Sequence, residues 1–112
     1  MNRDCVFCKI VSGEIPSKKI YEDDTVYVFE DINPVTPIHW LFVPKKHLSG
    51  AGEITSENSD AVAKIFETAA SLANEHAVGD YRIVTNCGKG AGQTVFHLHF
   101  HLLAGRQLGE MV

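Results

Sequence analysis

The chain has 112 residues, of which 45% are hydrophobic and 21% are charged, and its formal charge is −4. A chain of this length folds as one compact domain, so we expect a single domain over 1–112. The acidic balance argues against broad electrostatic binding to nucleic acid or to an anionic membrane. The sequence has no apolar run long enough to span a membrane and no signal-like start, and its three cysteines are an odd number. These features predict a soluble cytoplasmic protein with reduced thiols.

The first half of the chain predicts a short helix followed by three strands. In chain order these elements cover residues 6–11, 20–22, 26–29 and 40–43. Gly13 ends the helix, Asp23 and Asp24 form the turn between the first two strands, and Pro44 ends the third strand.

The second half predicts one long helix and two further strands. Apolar residues recur at helical spacing over 57–76, with Ser56 or Ser59 as the N-terminal cap and Gly79 just past the end. The two strands cover residues 82–85 and 94–103. Strands followed by one helix and then more strands predict an α+β fold with a mostly antiparallel sheet, rather than repeated βαβ units.

Three of the six histidines alternate with apolar residues in the last predicted strand. Because successive side chains of a strand point to opposite faces, His97, His99 and His101 are expected on one face. The opposite, buried face would carry Phe96, Leu98, Phe100 and Leu102. The row of imidazoles could be a solvated polar face, a metal site, or a nucleophile that attacks phosphorus or an acyl carbon. A solvated face is the least favoured, since Thr, Lys or Glu would suit it better.

The segment directly before the histidines is rich in glycine. Residues 88–94 are Gly-Lys-Gly-Ala-Gly-Gln-Thr. Glycines let backbone N–H groups approach an anion closely, and the side chains of Gln93 and Thr94 add donors. A glycine loop alone usually forms only a turn, but beside a row of imidazoles it favours a phosphate site next to a nucleophile.

The run His97-Leu98-His99-Phe100-His101-Leu102-Leu103 resembles the histidine triad motif. The ending Ala104-Gly105-Arg106-Gln107 is similar to the Hint branch of histidine triad nucleotide-binding proteins. Similarity to the family covers nearly the whole chain, including residues 7–10, 13–16, 21–23, 31–39 and 43–47. The resemblance implies a homodimeric HIT-like α+β protein that binds a purine nucleotide, such as AMP, GMP or an adenosine conjugate. It also implies hydrolysis at the α-phosphate, mainly of phosphoramidates, with no catalytic metal required.

Matching positions to the family assigns roles to individual residues. The resemblance makes His99 the nucleophile that forms a nucleotidyl-histidine intermediate, and it places His101 on the α-phosphate oxygens. His97 and His39 would support the triad from beside it, and Thr94 would bond the phosphate or the leaving nitrogen. Further nucleotide contacts would come from Asp31 to the ribose, Ile32 to the base, and Asn86, Gly92 and Gln93 to phosphate and ribose. On the residues alone, Asp31 fits a turn before Asn33-Pro34 equally well.

Cys5 and Cys8 have the spacing of half a zinc site or of a redox pair. From the residues alone, the further ligands could come from His39, His47 or His97. The resemblance selects His47 and His97, because some relatives hold a structural zinc with two cysteines and two histidines. We therefore expect a structural zinc, with a bare pair of buried thiols as the alternative.

Two other functions stay open beside that of a nucleoside phosphoramidase. A dinucleoside polyphosphate hydrolase would use the same His99 with a different leaving group. A nucleotide-binding regulatory protein would keep the site with vestigial hydrolysis. A purely structural zinc-binding domain is a further possibility, but it would leave the glycine loop and two of the histidines unexplained.

Overall fold

A computed structural model describes residues 4–111 as a five-stranded antiparallel sheet with a helix packed on each face. The elements are α1 (Val6–Ser12), β1 (Lys19–Glu22), β2 (Val26–Glu30), β3 (Ile38–Pro44), α2 (Ser59–Glu75), β4 (Tyr81–Val84) and β5 (Phe100–Ala104). The strand order is β1-β2-β3-β5-β4, and every neighbouring pair is antiparallel. The predicted α+β fold, with one long and one short N-terminal helix, is therefore confirmed.

The single domain over 1–112 stays a prediction, and its two ends lie outside the described residues. Within residues 4–111, no helix has the length and apolar character needed to cross a membrane.

Both faces of the sheet are covered by apolar side chains. On one face Val28 and Phe42 pack with Ile65 of α2. On the other face Phe29 packs with Phe7 of α1. The central strands β2 and β3 are consequently buried along almost their whole length, instead of alternating between core and solvent.

The predicted strand over 94–103 is wrong in its first half, because β5 forms only the second half. Side-chain bonds replace the backbone ladder before β5. The Thr85 hydroxyl donates to the His99 carbonyl at 2.7 Å, and His97 Nε2 donates to the Pro44 carbonyl at 2.8 Å. Since Pro44 has no N–H, β3 cannot extend the pairing beyond this point.

The side chains before β5 keep only part of the predicted alternation. Leu98 packs in the cluster beneath α2, whereas His97 and His99 contact Phe7 on the α1 side. Phe96 was expected on the buried face but is 42% exposed, although Leu98, which also lies outside the sheet ladder, is buried. His97 and His99 are themselves buried, since α1 covers the face that carries them.

The predicted serine caps of α2 are wrong. The helix begins at Ser59, and its N-cap is Asn58 rather than Ser56 or Ser59. The Asn58 side chain folds the preceding loop instead of capping the helix: its oxygen accepts from the Thr55 N–H at 2.7 Å, and its amide donates to the Glu53 carbonyl at 3.0 Å.

The C-terminus of α2 ends in a Schellman motif. The Val78 N–H donates to the Ala73 carbonyl at 2.9 Å, and the Ala77 N–H donates to the Asn74 carbonyl at 3.2 Å. This geometry places Ala77 at φ 51°, in the left-handed region that favours glycine. The predicted glycine, Gly79, also has positive φ but lies two residues further along.

We expect Ala77→Gly to raise the free energy of unfolding by about 0.5–1 kcal/mol, because glycine removes the steric cost of the left-handed conformation. Urea unfolding would measure the change. Gly79→Ala is the matched control: its φ is 81° and an added Cβ meets nothing within 4 Å. It should lower stability by about 1 kcal/mol through backbone conformation alone. An unchanged or lowered stability of Ala77→Gly would contradict the expectation.

Candidate active site

His99 lies under α1 with one ring nitrogen engaged. Its Nδ1 is 2.7 Å from the His97 carbonyl, and because a carbonyl only accepts, Nδ1 carries the hydrogen. The neutral ring then has its lone pair on Nε2. Burial lowers the pKa of His99, against the raising effect of the His97 carbonyl and of Asp31. The arrangement presents an unprotonated imidazole nitrogen, the state needed for nucleophilic attack.

His39 and His101 form a hydrogen-bonded relay beside His99. The Val35 N–H donates to His39 Nδ1 at 3.1 Å, so the neutral His39 ring carries its hydrogen on Nε2. That nitrogen lies 2.9 Å from His101 Nδ1 and donates to it. His101 therefore keeps its own hydrogen on Nε2, where it can be donated to an anion. Burial, together with the neighbouring His99 and His39, lowers the pKa of His101 to about 4.

Asp31 forms a turn and lies beside the relay. One carboxylate oxygen accepts from the Asn33 N–H at 2.8 Å, as the turn interpretation required. The other oxygen lies 3.4 Å from His39 Nε2. The next residue, Ile32, is 88% exposed, so its side chain is accessible to a ligand. The ribose and base contacts of these two residues stay predictions.

The buried side chain of Gln93 stabilises the glycine loop, residues 88–92, by three hydrogen bonds. Its side-chain oxygen accepts from the Gly88 N–H at 2.8 Å. Its amide donates to the carbonyls of Ser49 at 2.7 Å and of Val95 at 3.0 Å. Gly50 allows this approach, because a Cβ there would stand 3.2 Å from the Gln93 oxygen. The loop that precedes the histidines is thus tied to the segment after β3, while the predicted phosphate contact of Gln93 is untested.

Three further predicted contact residues lie near the start of the histidine segment: Asn86, Gly92 and Thr94. Gly92 has φ 95°, which a residue with a Cβ rarely adopts, and its Cβ position is 3.7 Å from the Asn86 amide. Thr94 is exposed and lines a cavity of about 350 Å³ together with Val6 and Phe96. Their contacts with a nucleotide stay predictions.

Cys5, Cys8, His47 and His97 form a second cluster, which we call the Cys/His cluster. His97 Nδ1 lies 3.2 Å from Cys5 Sγ, 3.5 Å from Cys8 Sγ and 3.2 Å from His47 Nδ1. The four ligand atoms lie within 4.8 Å of one another, so the cluster could hold a metal ion. Because His97 Nε2 donates to the Pro44 carbonyl, the lone pair of Nδ1 faces the other three ligand atoms.

A second group with metal-ligand chemistry consists of Asp31, His39 and His101. Its donors do not suit a metal, because the His39 nitrogen that faces the other two residues carries a hydrogen. The distance of 2.9 Å between the two rings is that of a hydrogen bond. The two clusters contain similar residue types but differ in which ring nitrogen is already engaged by the backbone.

Sequence reasoning missed the groups that hold the histidines in place. They are the Phe7 ring, the Thr85 hydroxyl, the Pro44 carbonyl and the Val35 N–H. Backbone groups carry no sequence signal, and Thr85 had none beyond its place in a strand. The position of Phe7 between the two cysteines was the one available indication.

The chain is similar to proteins of a known family over nearly its whole length. The family described as "Scavenger mRNA decapping enzyme C-term binding" matches residues 4–111. A histidine triad protein from Clostridium difficile is 45% identical and superimposes with a TM-score of 0.96, covering 100% of this chain and 99% of that one. The chain belongs to the histidine triad family.

Other histidine triad relatives indicate the type of enzyme. The purine nucleoside phosphoramidase of Escherichia coli K12 is 36% identical over 114 aligned positions, which cover 100% of this chain and 96% of that protein. A histidine triad family hydrolase from Clostridium thermocellum is 43% identical with a TM-score of 0.96, covering 100% of this chain and 99% of that one. The family prediction is confirmed, and so is the prediction of an enzyme at the level of a hydrolase.

We expect this histidine triad protein to lose stability on acidification. The folded pKa of His101, about 4, lies below the ordinary value of about 6.5, so the unfolded chain binds more protons between these values. The contribution of the neutral His101 ring to the free energy of unfolding is complete at a pH above its ordinary pKa and is lost as the pH falls towards 4. The two pKa values alone correspond to a loss of about 2 kcal/mol between about pH 7 and pH 5. Because His101 is partly exposed and solvent screens its charge, urea unfolding should show about half of this, a loss of about 1 kcal/mol.

The variant His101→Asn separates titration from packing. Near pH 8 the imidazole is neutral in both states, so the difference from wild type measures the lost packing and hydrogen bonds. From that baseline the variant should lose less stability on acidification than the wild type does. Identical slopes for the two proteins would rule out a contribution from His101.

Proposed function

We propose that the chain hydrolyses purine nucleoside phosphoramidates, of the AMP-amine or AMP-lysine type, through a nucleotidyl-histidine intermediate on His99. The proposal rests on the hydrogen bond from His99 Nδ1 to the His97 carbonyl, which leaves the lone pair on Nε2. Full-length similarity to an enzyme named purine nucleoside phosphoramidase supports the substrate class.

In the first step, His99 Nε2 attacks the α-phosphorus. A new N–P bond forms to the imidazole, and the P–N bond to the amine breaks. The amine must leave with a proton, because a free amide anion is a very poor leaving group. We assign delivery of this proton to the exposed Thr94 hydroxyl, which would relay it from water.

In the second step, water attacks the phosphorus from the side that the amine has left. It gives up one proton through the Thr94 hydroxyl to the solvent, which replaces the proton that the amine took up in the first step. The bond to His99 breaks, the nucleoside monophosphate departs, and the imidazole returns to its starting tautomer. Splitting the reaction in this way replaces one difficult displacement with two easier ones. The relay places a hydrogen on His101 Nε2, which would bind the phosphate oxygens in both steps.

The nucleotide would lie between the relay and the glycine loop. Asp31 would accept from the ribose hydroxyls, and the exposed Ile32 would cover the base. Asn86, Gly92 and Gln93 would shape the phosphate end of the site. Since the nucleophile and its acid partners are all side chains of this chain, the mechanism requires no catalytic metal.

Turnover of an adenosine phosphoramidate, measured without added divalent metal, tests the proposal. His99→Ala should reduce turnover by about 10⁴-fold or more, because the intermediate cannot form. Its affinity for AMP, measured by calorimetry, should stay within a few-fold of wild type. The matched control is His76→Ala, which removes an exposed histidine that contacts Trp40 at the end of α2 and should keep full activity.

A diadenosine polyphosphate serves as the competing substrate in the same assay. Preference for it would transfer the proposal to the dinucleoside polyphosphate hydrolases, with the same nucleophile. Bound AMP without turnover of either substrate would indicate a nucleotide-binding regulatory protein. Full activity of His99→Ala would eliminate the covalent mechanism.

We further propose that the Cys/His cluster binds a structural zinc ion. Tetrahedral zinc with ordinary bond lengths separates two nitrogens by about 3.3 Å, and a nitrogen from a sulfur by about 3.5 Å. The observed separations are 3.2 Å for His47 Nδ1 to His97 Nδ1 and 3.2 to 3.5 Å for three of the four nitrogen–sulfur pairs, and all four ligand atoms lie within 4.8 Å of one another. Bound zinc would link α1 to the ends of β3 and of the histidine segment.

We expect Cys5→Ser with Cys8→Ser to abolish stoichiometric zinc and to lower the melting temperature by several degrees, because a structural ion adds directly to folding stability. Atomic emission and calorimetry would measure both effects. Cys87→Ser is the matched control, since this exposed thiol lies outside the cluster and should change neither quantity. If the wild-type protein contains no metal and a chelator leaves its melting temperature unchanged, the zinc proposal is wrong and the cysteines are a bare pair of buried thiols.

We also propose that two copies associate, as the family resemblance implies. Strand β4 forms one edge of the sheet, so the backbone groups on its outer side have no neighbouring strand in the described sheet and could pair with a second copy. Tyr81 of this strand is exposed. Light scattering after size exclusion would give the mass in solution. A cytoplasmic location stays a prediction.

A further inference from the structure

His97 belongs to both parts of the candidate site. Its ring Nδ1 lies 3.2 Å from Cys5 Sγ and 3.2 Å from His47 Nδ1, inside the Cys/His cluster. Its backbone carbonyl accepts the hydrogen bond from His99 Nδ1 at 2.7 Å. A single residue therefore connects the proposed metal ligands with the proposed nucleophile, and it is fully buried at 0% exposure.

Phe7 makes a second connection between the same two parts. It lies in α1 between Cys5 and Cys8, so the position of its ring depends on how these two residues are held. The ring centroid is 5.0 Å from that of His99 at an interplanar angle of 88°, and 6.1 Å from that of His97 at 65°. These are edge-to-face contacts, which restrict the orientation of the His99 ring.

The backbone that carries His97 and His99 depends strongly on side chains. Residues 94–99 lie before the ladder of β5, although the Leu98 N–H donates to the Leu48 carbonyl. The His99 carbonyl is bonded by the Thr85 hydroxyl and not by a strand neighbour. A segment supported in this way keeps its conformation only while the supporting side chains keep theirs.

We propose that metal occupancy of the Cys/His cluster controls the tautomer and orientation of His99, so that the cluster ligands are positioning residues for the nucleophile. This inference rests on the proposed function. The Pro44 carbonyl holds the His97 ring through Nε2, and a bound ion would fix the ring at a second point through Nδ1, together with the carbonyl that accepts from His99 Nδ1. When the ligands are released, the carbonyl shifts, and His99 also populates the tautomer with hydrogen on Nε2, which cannot attack phosphorus.

A merely structural metal has different consequences. It would raise the free energy of unfolding, yet the folded molecules would keep the same tautomer and the same kcat with or without it. A positioning metal changes kcat in molecules that are fully folded. Nucleotide affinity separates the two further, because the proposed nucleotide contacts, apart from the triad, come from residues outside the cluster.

The test compares zinc-loaded protein with protein stripped by a chelator and then dialysed, both carrying isotope-labelled histidine. Nitrogen NMR should show the His99 hydrogen on Nδ1 in the loaded form and a mixture of tautomers in the stripped form, with the His99→Ala spectrum giving the assignment. We expect kcat to fall about 10–100-fold on stripping while AMP affinity stays within a few-fold. Added zinc should restore both the tautomer and kcat.

Variants at His47 isolate the cluster from the triad. This side chain contacts Cys8 Sγ at 3.3 Å and His97 Nδ1 at 3.2 Å, and it belongs to neither α1 nor the histidine segment. His47→Ala should reproduce the loss of kcat, whereas His47→Cys restores a fourth ligand and should keep most of it. Gly79→Ala is the control for lowered stability alone, and it should leave kcat unchanged at a temperature where all variants are folded.

An unchanged His99 tautomer and kcat in stripped, folded protein would overturn the inference. If the stripped chain unfolds, the two His47 variants in excess zinc decide the question, and equal kcat values would overturn it. If no form turns over a phosphoramidate, the proposed function fails, and the tautomer comparison alone then decides whether the cluster positions His99.

Discussion

The hydrogen bond between His99 Nδ1 and the His97 carbonyl is the interaction on which the candidate site depends. It assigns the hydrogen to one ring nitrogen and leaves the other as a base. The bond forms because residues 95–99 lie before the ladder of β5, so the His97 carbonyl is available to a side chain. A regular strand over the same residues would have used that carbonyl for sheet pairing.

The family and the face on which the histidines lie could be predicted from the sequence, because both depend on spacing. Alternation placed Leu98 and His99 on opposite faces, and in the structure Leu98 lies beneath α2 while His99 lies on the α1 side. The beginning of β5 could not be predicted, since it depends on which carbonyls accept from His97 and Thr85. The cap of α2 was missed for a similar reason: Asn58 folds the loop before the helix, and neither neighbouring serine is used.

Two clusters with similar residue types acquire different chemistry from the backbone around them. At His97 a carbonyl takes up Nε2 and leaves Nδ1 as a ligand. At His39 an N–H takes up Nδ1 and leaves Nε2 as a donor. A list of histidines, cysteines and carboxylates does not distinguish these cases, because the difference lies in main-chain groups of Pro44 and Val35. The second nitrogen of each ring decides whether it binds a cation or passes on a hydrogen bond.

The pairing of β3 with β5 also has a consequence for how the molecule is assembled. Ile38 is paired with Ala104, so the loop that closes between these strands contains α2 and β4. The strands β1, β2 and β3 are sequential neighbours and can form from local contacts, whereas the β3–β5 contact requires closure of this long loop. His39 and His101 come from opposite sides of that pairing. A chain emerging from the ribosome therefore has no relay until His101 is available and β5 can pair with β3, and a chain cut off before that point lacks the arrangement proposed for catalysis.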